Sequence, residues 1–362
     1  MNLLIEIGHP AHVYKLLATI RELKKNNHKI IVVTKDVQSI KFLLTKFEIP
    51  FIVLGIKKDS LLAKGMLQFI YNWRCFRLLK KEKVDLMIGS LTSAFMTRLT
   101  KIPSILMDDD DDEVEALIVK YVHPYISAIL SPSALEGKRA RKDTVYYAGY
   151  HELAYLHPKR FTPDPAVLQE IGLSEGEPYF VMRFNVFKAH HDAGIQGLSI
   201  ENKRKLVQYL EKRGRVFITT ERNINEEFRK YQLLLSPEKV HSLLYYATMF
   251  IGDSQTMTSE AAVLGTPAIR SNSFVGRIAY LEEEEYNYNL TYGFRPDEFE
   301  ALQAKIEELL STPNLKAVWQ GRRQIMLKDK IDVSAFYVWF IENYPESARI
   351  VKADPEWQER FK

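Results

Sequence analysis

Cysteine is almost absent from this sequence. Cys75 is the only one among 362 residues, so an internal disulfide is excluded and any metal site has to be built from histidine and carboxylate side chains. No apolar run is long enough to span a bilayer, and the first residues carry no basic leader. We therefore expect a reducing, cytoplasmic location, either free or peripheral at the inner face of the membrane.

A strong net charge is also missing. The formal charge of +4 is compatible with phosphorylated ligands or an anionic membrane surface, but it falls short of the basic footprint of a nucleic-acid-binding protein. No nucleic-acid partner is expected. Hydrophobic residues make up 46% and charged residues 27% of the chain, which is close to the globular average and predicts a chain folded throughout.

Short apolar runs alternate with segments of helical period, which is the pattern of parallel strands joined by crossover helices. The first series predicts strands at residues 3–7, 29–34, 51–54, 84–88, 104–107, 128–130 and 145–148. Turn formers then cluster between Gly149 and Pro178. The second series predicts strands at residues 179–184, 216–220, 248–252 and 267–270, and helices at residues 201–212, 226–235, 297–310 and from 332 onward.

This length suits two domains better than one. We predict domains at residues 1–155 and 156–330, followed by helices at residues 331–362. Each domain is expected to contain a doubly wound parallel sheet, and such sheets bind ligands outside the carboxyl ends of their strands. The cleft between the domains is therefore the expected ligand site.

The most informative segment runs from Tyr245 to Pro267 and reads as strand, polar turn, helix, glycine stop and strand. Its turn, Asp253-Ser254-Gln255-Thr256, lies where a helix begins. A helix N-terminus with free N–H groups and a favourable dipole suits a diphosphate. Glu260 lies one turn further on, within reach of a ribose. In the alternative reading, Asp253 and Ser254 only cap the helix and Glu260 is solvated.

This segment resembles the nucleotide-binding signature of GT-B glycosyltransferases and of UDP-N-acetylglucosamine 2-epimerases. The wider pattern resembles the DUF354 family, in which a small-residue turn precedes a helix with Glu and then Leu-Gly-x-Pro. The resemblance extends over most of the chain and includes Gly8-His9-Pro10-Ala11-His12, Leu243-Leu244-Tyr245-Tyr246-Ala247 and Arg270. It implies a GT-B-like α/β fold of two Rossmann-like domains that face a cleft, with C-terminal helices crossing back.

The resemblance also implies roles for these residues. The first domain would hold the acceptor and the second the nucleotide sugar. Ser254, Gln255 and Thr256 would contact the diphosphate and Glu260 the ribose hydroxyls, while Asp253 shapes the turn and Arg270 joins the donor site. The chain departs from the commoner glycine pair at this turn, since it has Ser254-Gln255, which would weaken or alter donor binding.

Candidate bases follow two strands of the first domain. Gly8-His9-Pro10-Ala11-His12 stands where a dinucleotide fold shows Gly-x-Gly-x-x-Gly, and its absence argues against an NAD enzyme. His12 is the first candidate base for an acceptor hydroxyl; alternatively, it caps the helix while His9 packs in the loop. Asp108 and Asp109 open a run of five aspartates and are the second candidates, with helix capping and solvation as the alternative. Their mutual repulsion would ease beside a cation.

Arg183 ends the first strand of the second domain and is a candidate phosphate ligand, the alternative being a surface ion pair. Lys188, His190, His191 and Asp192 follow in a predicted loop. The two histidines alone are weak evidence for a metal. Since GT-B enzymes resemble metal-independent catalysts, we predict no metal and no cofactor, with the UDP-sugar as a substrate.

Residues 61–81 combine apolar and aromatic side chains with Lys and Arg. Such a basic amphipathic helix can lie on anionic lipid, which leaves peripheral membrane contact open. The same pattern also describes a helix that faces a core and solvates its lysines.

The resulting functional hypothesis is transfer of a sugar from a UDP-linked donor to a carbohydrate or lipid-linked acceptor, in surface polysaccharide or glycolipid biosynthesis. A second hypothesis is an isomerase or hydrolase similar to the 2-epimerases. A third is a binding protein that keeps the nucleotide pocket without turnover.

Overall fold

The computed structural model describes residues 1–56, 61–184, 197–219 and 224–362. The chain divides into two compact units. The first unit comprises Met1–Arg160 together with Lys330–Lys362, and the second comprises Phe161–Asp329. Each unit is built on its own parallel sheet, as the alternating pattern predicts.

The sheet of the first unit has seven strands in the order β3-β2-β1-β4-β5-β6-β7. Their bounds are β1 Asn2–Ile7, β2 Lys29–Asp36, β3 Phe51–Ile56, β4 Leu86–Ile88, β5 Ser104–Met107, β6 Ala128–Pro132 and β7 Val145–Tyr147. Chain order reverses direction between β1 and β4, so the carboxyl ends of these two strands form the topological switch point, where doubly wound sheets bind ligands.

The sheet of the second unit has five strands in the order β12-β11-β10-β8-β9. They are β8 Tyr179–Arg183, β9 Arg215–Thr219, β10 Met249–Gly252, β11 Ala268–Ser271 and β12 Thr291–Phe294. The switch point of this sheet lies between β8 and β10. The segment with the polar turn follows β10, so the fold brings it to the place where a ligand is expected.

Fifteen α-helices connect and flank the strands in the described parts of the chain. In chain order they are α1 Pro10–Lys25, α2 Gln38–Lys46, α3 Leu61–Glu82, α4 Leu91–Thr100, α5 Ala116–Tyr121, α6 Leu153–Leu156, α7 Ala166–Glu170, α8 Ile200–Leu210, α9 Val240–Tyr246, α10 Gln255–Leu264, α11 Ala279–Tyr286, α12 Phe299–Leu310, α13 Leu315–Asp329, α14 Val333–Glu342 and α15 Glu346–Ala353. None of these helices combines the length and the apolar character that crossing a membrane requires.

Several elements of the second unit differ from the sequence prediction, and three of them have a clear physical reason. The predicted helix at residues 226–235 is a short 3-10 helix, Glu226–Tyr231, because the chain then runs beside the edge strand β9 and Leu233 N donates to Ile218 O at 2.9 Å. Strand β12 was missed because it is only four residues long and contains Gly293. Helix α13 was missed because it buries only Trp319, Arg323 and Met326 and shows little apolar periodicity.

Candidate functional site

The first turn of α10 is capped by its own sequence. Ser254 is the N-cap residue, and its Oγ accepts from Met257 N at 3.4 Å. Thr258 Oγ1 donates to Ser254 O at 2.6 Å. The amides of Gln255 and Thr256 precede the first intrahelical hydrogen bond, and both residues are only partly buried. The Ser254 hydroxyl thus serves the helix, and no acceptor within the described parts of the chain is bonded to the other two N–H groups.

The corresponding helix end in the first unit is already filled by an acidic side chain. Helix α4 follows β4 at the switch point, and Glu6 of β1 reaches it. Glu6 Oε2 accepts from Ser90 N at 3.2 Å and from Ser93 N at 3.3 Å. A carboxylate therefore takes the position that an anionic ligand would need at α4.

The C-terminal end of α10 is held by α13. Gln320 Nε2 donates to Leu264 O at 2.9 Å and to Gly265 O at 3.1 Å, and Arg323 Nε donates to Val263 O at 2.7 Å. A cation at this end complements the helix dipole. Helix α10 is thus fixed by α13 at its C-terminal end, whereas Ser254 is the one described side chain that bonds to the amides of its first turn.

Removing the cation at the end of α10 should destabilise the protein. We expect Arg323→Ala to lower the free energy of unfolding by about 2 kcal/mol, because a buried carbonyl and the helix dipole both lose their partner. Gln324→Ala, on the exposed side of the same helix, is the matched control and should change stability by less than about 0.5 kcal/mol. Urea denaturation of both variants measures the difference, and equal stabilities would contradict the capping role.

Glu260 is buried and is held by a histidine. His241 on α9 and Glu260 on α10 are 7% exposed or less, and His241 Nε2 lies 3.0 Å from Glu260 Oε1. The reading of Glu260 as a solvated residue is therefore wrong. Sequence reasoning missed His241, since nothing at that position marks a partner 19 residues away.

Arg183 and Asp253 lie side by side at the switch point of the second sheet. Arg183 pairs in register with Gly252, where a Cβ atom would come within 2.6 Å of Arg183 O, so only glycine allows this close approach. Arg183 is half-buried, and its Nη1 lies 3.5 Å from Thr219 Oγ1. The predicted loop with Lys188, His190, His191 and Asp192 lies outside the described residues.

Asp253 is the first residue of the polar turn, and its side chain is buried. Asn272 Nδ2 donates to Asp253 O at 3.0 Å, and Lys203 Nζ lies 3.6 Å from Asp253 Oδ2. These contacts tie the turn to β11 and α8. Neither Asn272 nor Lys203 was among the residues singled out from the sequence.

Arg270 lies in the interior of the second unit and is fully buried. Its Nη2 lies 2.5 Å from Glu282 Oε1 and 3.7 Å from Glu285 Oε2. Gly293 on the neighbouring strand leaves room for this cluster, because a Cβ atom there would lie 3.2 Å from Arg270 Nε. In this position Arg270 supports β11 and has no surface for a ligand to touch.

The two histidines of the motif that follows β1 differ in role. His9 is the N-cap of α1, and its Nδ1 accepts from Ala11 N at 3.2 Å. His12 is half-buried in the first turn of α1, and its ring lies 6.1 Å from that of His9. Burial, with the nearby Lys15 and His9, lowers the pKa of His12 to about 3. The capping residue is therefore His9, and His12 is a neutral imidazole.

Asp109 lies between two cations. Lys15 Nζ is 2.7 Å from Asp109 Oδ1, and His151 Nδ1 is 2.8 Å from Asp109 Oδ2. Burial opposes ionisation, yet His151 and Lys15 hold the pKa of Asp109 well below its usual range. His151 Nε2 also lies 3.0 Å from Glu152 Oε1. Burial opposes its protonation too, but Asp109 and Glu152 raise the pKa of His151 to about 9.

Asp108 is bound inside the first unit. His123 Nε2 lies 2.7 Å and Arg139 Nη1 3.3 Å from Asp108 Oδ2, and Ser131 Oγ donates to Asp108 O at 2.7 Å. These contacts join the ends of β5 and β6. The run of aspartates therefore does lie beside basic groups, but they are protein side chains that were missed in the sequence: Lys15, His123, Arg139 and His151.

Asp110 is the aspartate whose charge the cations do not balance. Burial and the neighbouring Asp109 and Asp108 raise the pKa of Asp110 to about 8. With this pKa, Asp110 is a carboxylic acid that gives up its proton close to neutral pH, and its side chain keeps some exposure to solvent. Sequence reasoning noted the repulsion within the run but did not identify Asp110 as the residue that carries it.

Comparison with known proteins gives a family and a fold. The model of a family described as a protein of unknown function, DUF354, matches residues 1–287. No curated protein matches the sequence. Among solved structures, spinosyn forosaminyltransferase SpnP is similar with a TM-score of 0.64 at 14% identity, over 91% of this chain and 95% of that chain.

Two further solved structures contain a nucleotide. The UDP-GlcNAc 2-epimerase from Neisseria meningitidis, bound to UDP-GlcNAc, is similar with a TM-score of 0.63 at 14% identity, over 98% of this chain and 99% of that chain. A glycosyltransferase from Streptomyces sp., complexed with thymidine diphosphate, has a TM-score of 0.61 at 13% identity, over 94% and 99%. The predicted GT-B-like α/β class is thereby confirmed. At these identities the likeness concerns the fold alone.

Proposed function

The chain belongs to the DUF354 family, and we propose that it transfers a sugar from a nucleoside diphosphate donor, with UDP as the nucleotide, to a carbohydrate or lipid-linked acceptor. The single observation that carries this proposal is the N-terminus of α10. It presents the amides of Gln255 and Thr256 at the switch point of the second sheet, beside Arg183. A leaving diphosphate needs such donors, because negative charge develops on it as the sugar departs.

The geometry around Glu260 supports a nucleoside as the rest of the donor. The contact with His241 Nε2 holds the carboxylate in one orientation, and a fixed carboxylate accepts hydrogen bonds from two ribose hydroxyls. Asp253 holds the turn in shape through Asn272. In this proposal Arg183 contacts phosphate, Glu260 contacts ribose, and Arg270 supports the strand beside them.

Nucleotide binding tests the Glu260 assignment. We expect Glu260→Gln to weaken UDP binding about tenfold, because a neutral amide makes weaker hydrogen bonds to hydroxyls than a carboxylate does. Glu284→Gln is a matched control. Glu284 on α11 is fully buried, and its Oε1 accepts from Ser259 Oγ, which lies on α10 next to Glu260. Isothermal titration of both variants with UDP measures the affinities. Unchanged affinity of Glu260→Gln would remove Glu260 from the donor site.

The first unit supplies candidates for moving the acceptor proton. A base works best when its pKa lies near the working pH. With a pKa of about 3, His12 is a neutral hydrogen-bonding group and a weak base. With a pKa of about 8, Asp110 is much closer to that optimum. We assign proton transfer to Asp110, positioning of the acceptor hydroxyl to His12, and control of the Asp110 pKa to Asp109 and Asp108.

An isomerase or hydrolase similar to the 2-epimerases is the second candidate. The cluster of Asp109, Asp110 and His151 favours it, because carboxyl and imidazole groups can also remove a proton from a sugar carbon. Product analysis with UDP-N-acetylglucosamine separates the two activities: conversion without an acceptor supports the isomerase or hydrolase, and conversion only with an acceptor supports the transferase. A rise in melting temperature with UDP but no turnover under either condition supports a binding protein without catalytic activity. The presence of Ser254-Gln255 in place of glycines also favours that hypothesis.

A further inference from the structure

Three successive helices of the first unit carry exposed apolar side chains. Phe69 and Trp73 on α3 are 72% and 51% exposed. Phe95 and Leu99 on α4 and Leu117 and Tyr121 on α5 are exposed as well. We call these six residues the outer face. Single exposed apolar residues are ordinary on a soluble protein, but a group of this size marks an interaction surface.

The six residues lie on one side of the sheet. The connections from β3 to β4, β4 to β5 and β5 to β6 all cross the sheet in the same direction, so right-handed crossovers place α3, α4 and α5 on the same face. Gln68 Nε2 on α3 lies 3.2 Å from Thr92 Oγ1 on α4. Arg98 on α4 lies 4.9 Å from the ring of Tyr125, just beyond α5. The three helices thus form one continuous surface.

The core-facing sides of these helices do not contain all of their apolar side chains. Helix α4 buries Thr92, Ser93, Ala94 and Met96, yet it exposes Phe95 and Leu99, four residues apart. Helix α3 buries its own Tyr71, Cys75 and Leu79 in the core, yet its Phe69 and Trp73 are exposed. Packing against the core therefore does not explain the outer apolar side chains.

The basic side chains around the outer face indicate what kind of partner binds there. Arg77 lies over the ring of Trp73 at 4.8 Å, and Lys120 lies over Tyr121 at 5.2 Å. Lys80, Lys81, Arg98 and Lys101 are exposed nearby. Within the three helices themselves the only acidic residue is Glu82, whose Oε2 lies 2.6 Å from Lys29 Nζ, and Glu113 and Glu115 directly precede α5. Protein interfaces are depleted in lysine, whereas aromatic rings with interleaved Lys and Arg suit the interface of an anionic bilayer.

We propose that the outer face docks on the surface of an anionic lipid bilayer, with its aromatic and apolar side chains at the level of the headgroups and its cations beside lipid phosphates. This docking goes beyond the proposed sugar transfer and does not depend on it, because lipid binding requires no donor. It would bring the first unit to amphiphilic acceptors held in the membrane.

Vesicle binding by the full chain tests the proposal. We expect the protein to float with phosphatidylcholine vesicles that contain phosphatidylglycerol, and to bind at least tenfold more weakly to phosphatidylcholine alone. Added salt should release it. Trp73 is the one exposed residue among the four tryptophans, all of which are described, so tryptophan emission should shift to shorter wavelength on binding. The shift should disappear in Trp73→Phe while binding remains.

Matched variants separate docking from folding. Phe95→Ser with Leu99→Ser should weaken vesicle binding at least tenfold, and Arg77→Gln with Lys80→Gln should weaken it about fivefold for each charge removed. Leu234→Ser is the control, because Leu234 is 86% exposed but belongs to the second unit. Its binding should equal that of the unchanged protein, and all variants should keep the same melting temperature.

Three results would overturn the proposal. One is equal binding to anionic and neutral vesicles, and another is unchanged binding after Phe95→Ser with Leu99→Ser. The third is light scattering that shows a dimer which these two substitutions dissociate, together with no vesicle binding. That result would assign the outer face to contact between two copies of the chain.

Discussion

Asp110→Asn should reduce turnover of the UDP-sugar by a factor of about 100 to 10,000 while UDP binding stays unchanged. Asparagine has the same shape as aspartate but cannot exchange a proton in this range of pH. In the unchanged protein, turnover should rise with pH and level off above the Asp110 pKa of about 8, because the base acts in its ionised form. Initial rates across this pH range measure both effects.

The same substitution should also change stability in a pH-dependent way. The folded pKa of about 8 exceeds the ordinary value of 3.8, so the folded state holds a proton that the unfolded chain releases. This contribution to stability is fully present below the unfolded pKa and is lost as pH rises through about 8. Relative to the unchanged protein, Asp110→Asn should therefore gain about 4 kcal/mol between about pH 5 and about pH 9, because one pKa unit corresponds to about 1.4 kcal/mol.

Two controls make the Asp110 result specific. Asp297→Asn replaces an exposed aspartate of the second unit and should leave turnover and its pH dependence unchanged. His12→Ala should lower turnover through loss of acceptor positioning, but the midpoint of the pH profile should stay near that of Asp110. Full activity in Asp110→Asn, with the pH profile retained, would move the proton transfer to another residue.

Gln255→Pro should weaken UDP binding about tenfold to a hundredfold without destabilising the protein. Gln255 is the first residue of α10, a position where proline is favoured because the lost N–H has no intrahelical acceptor. Ser254 before it has φ of −85° and ψ of 123°, which a following proline tolerates. The substitution thus removes one N–H from the proposed diphosphate site and leaves the helix in place.

Gln255→Ala is the matched control for this substitution, since it removes the side chain and keeps the amide. Its UDP affinity should stay close to that of the unchanged protein. Isothermal titration gives the affinities, and thermal unfolding shows that both variants are folded. Equal affinities of Gln255→Pro and Gln255→Ala would show that the backbone of α10 does not bind the phosphates, and the proposed donor site would fail.

Local patterns predicted the parts of the site that are local. The polar turn from Asp253 to Thr256 and the glycine stop at Gly265 are recognisable from neighbouring residues alone. Helix α10 begins and ends at these positions in the structure. The partners of the predicted residues come from far along the chain. Lys15 and Asp109 are 94 residues apart, and His241 and Glu260 are 19 apart. No periodicity relates such pairs.

The sequence by itself determined two doubly wound sheets and the helix that begins after β10, because strand and helix periodicity, caps and turns act over a few residues. Only the tertiary structure decided that Glu6 fills the end of α4 while Ser254 alone among the described side chains bonds to the amides at the start of α10, that Asp110 is the aspartate left protonated, and that α4 leaves Phe95 and Leu99 exposed. Burial and charge interactions depend steeply on distances between remote residues, and those distances exist only once the chain has folded.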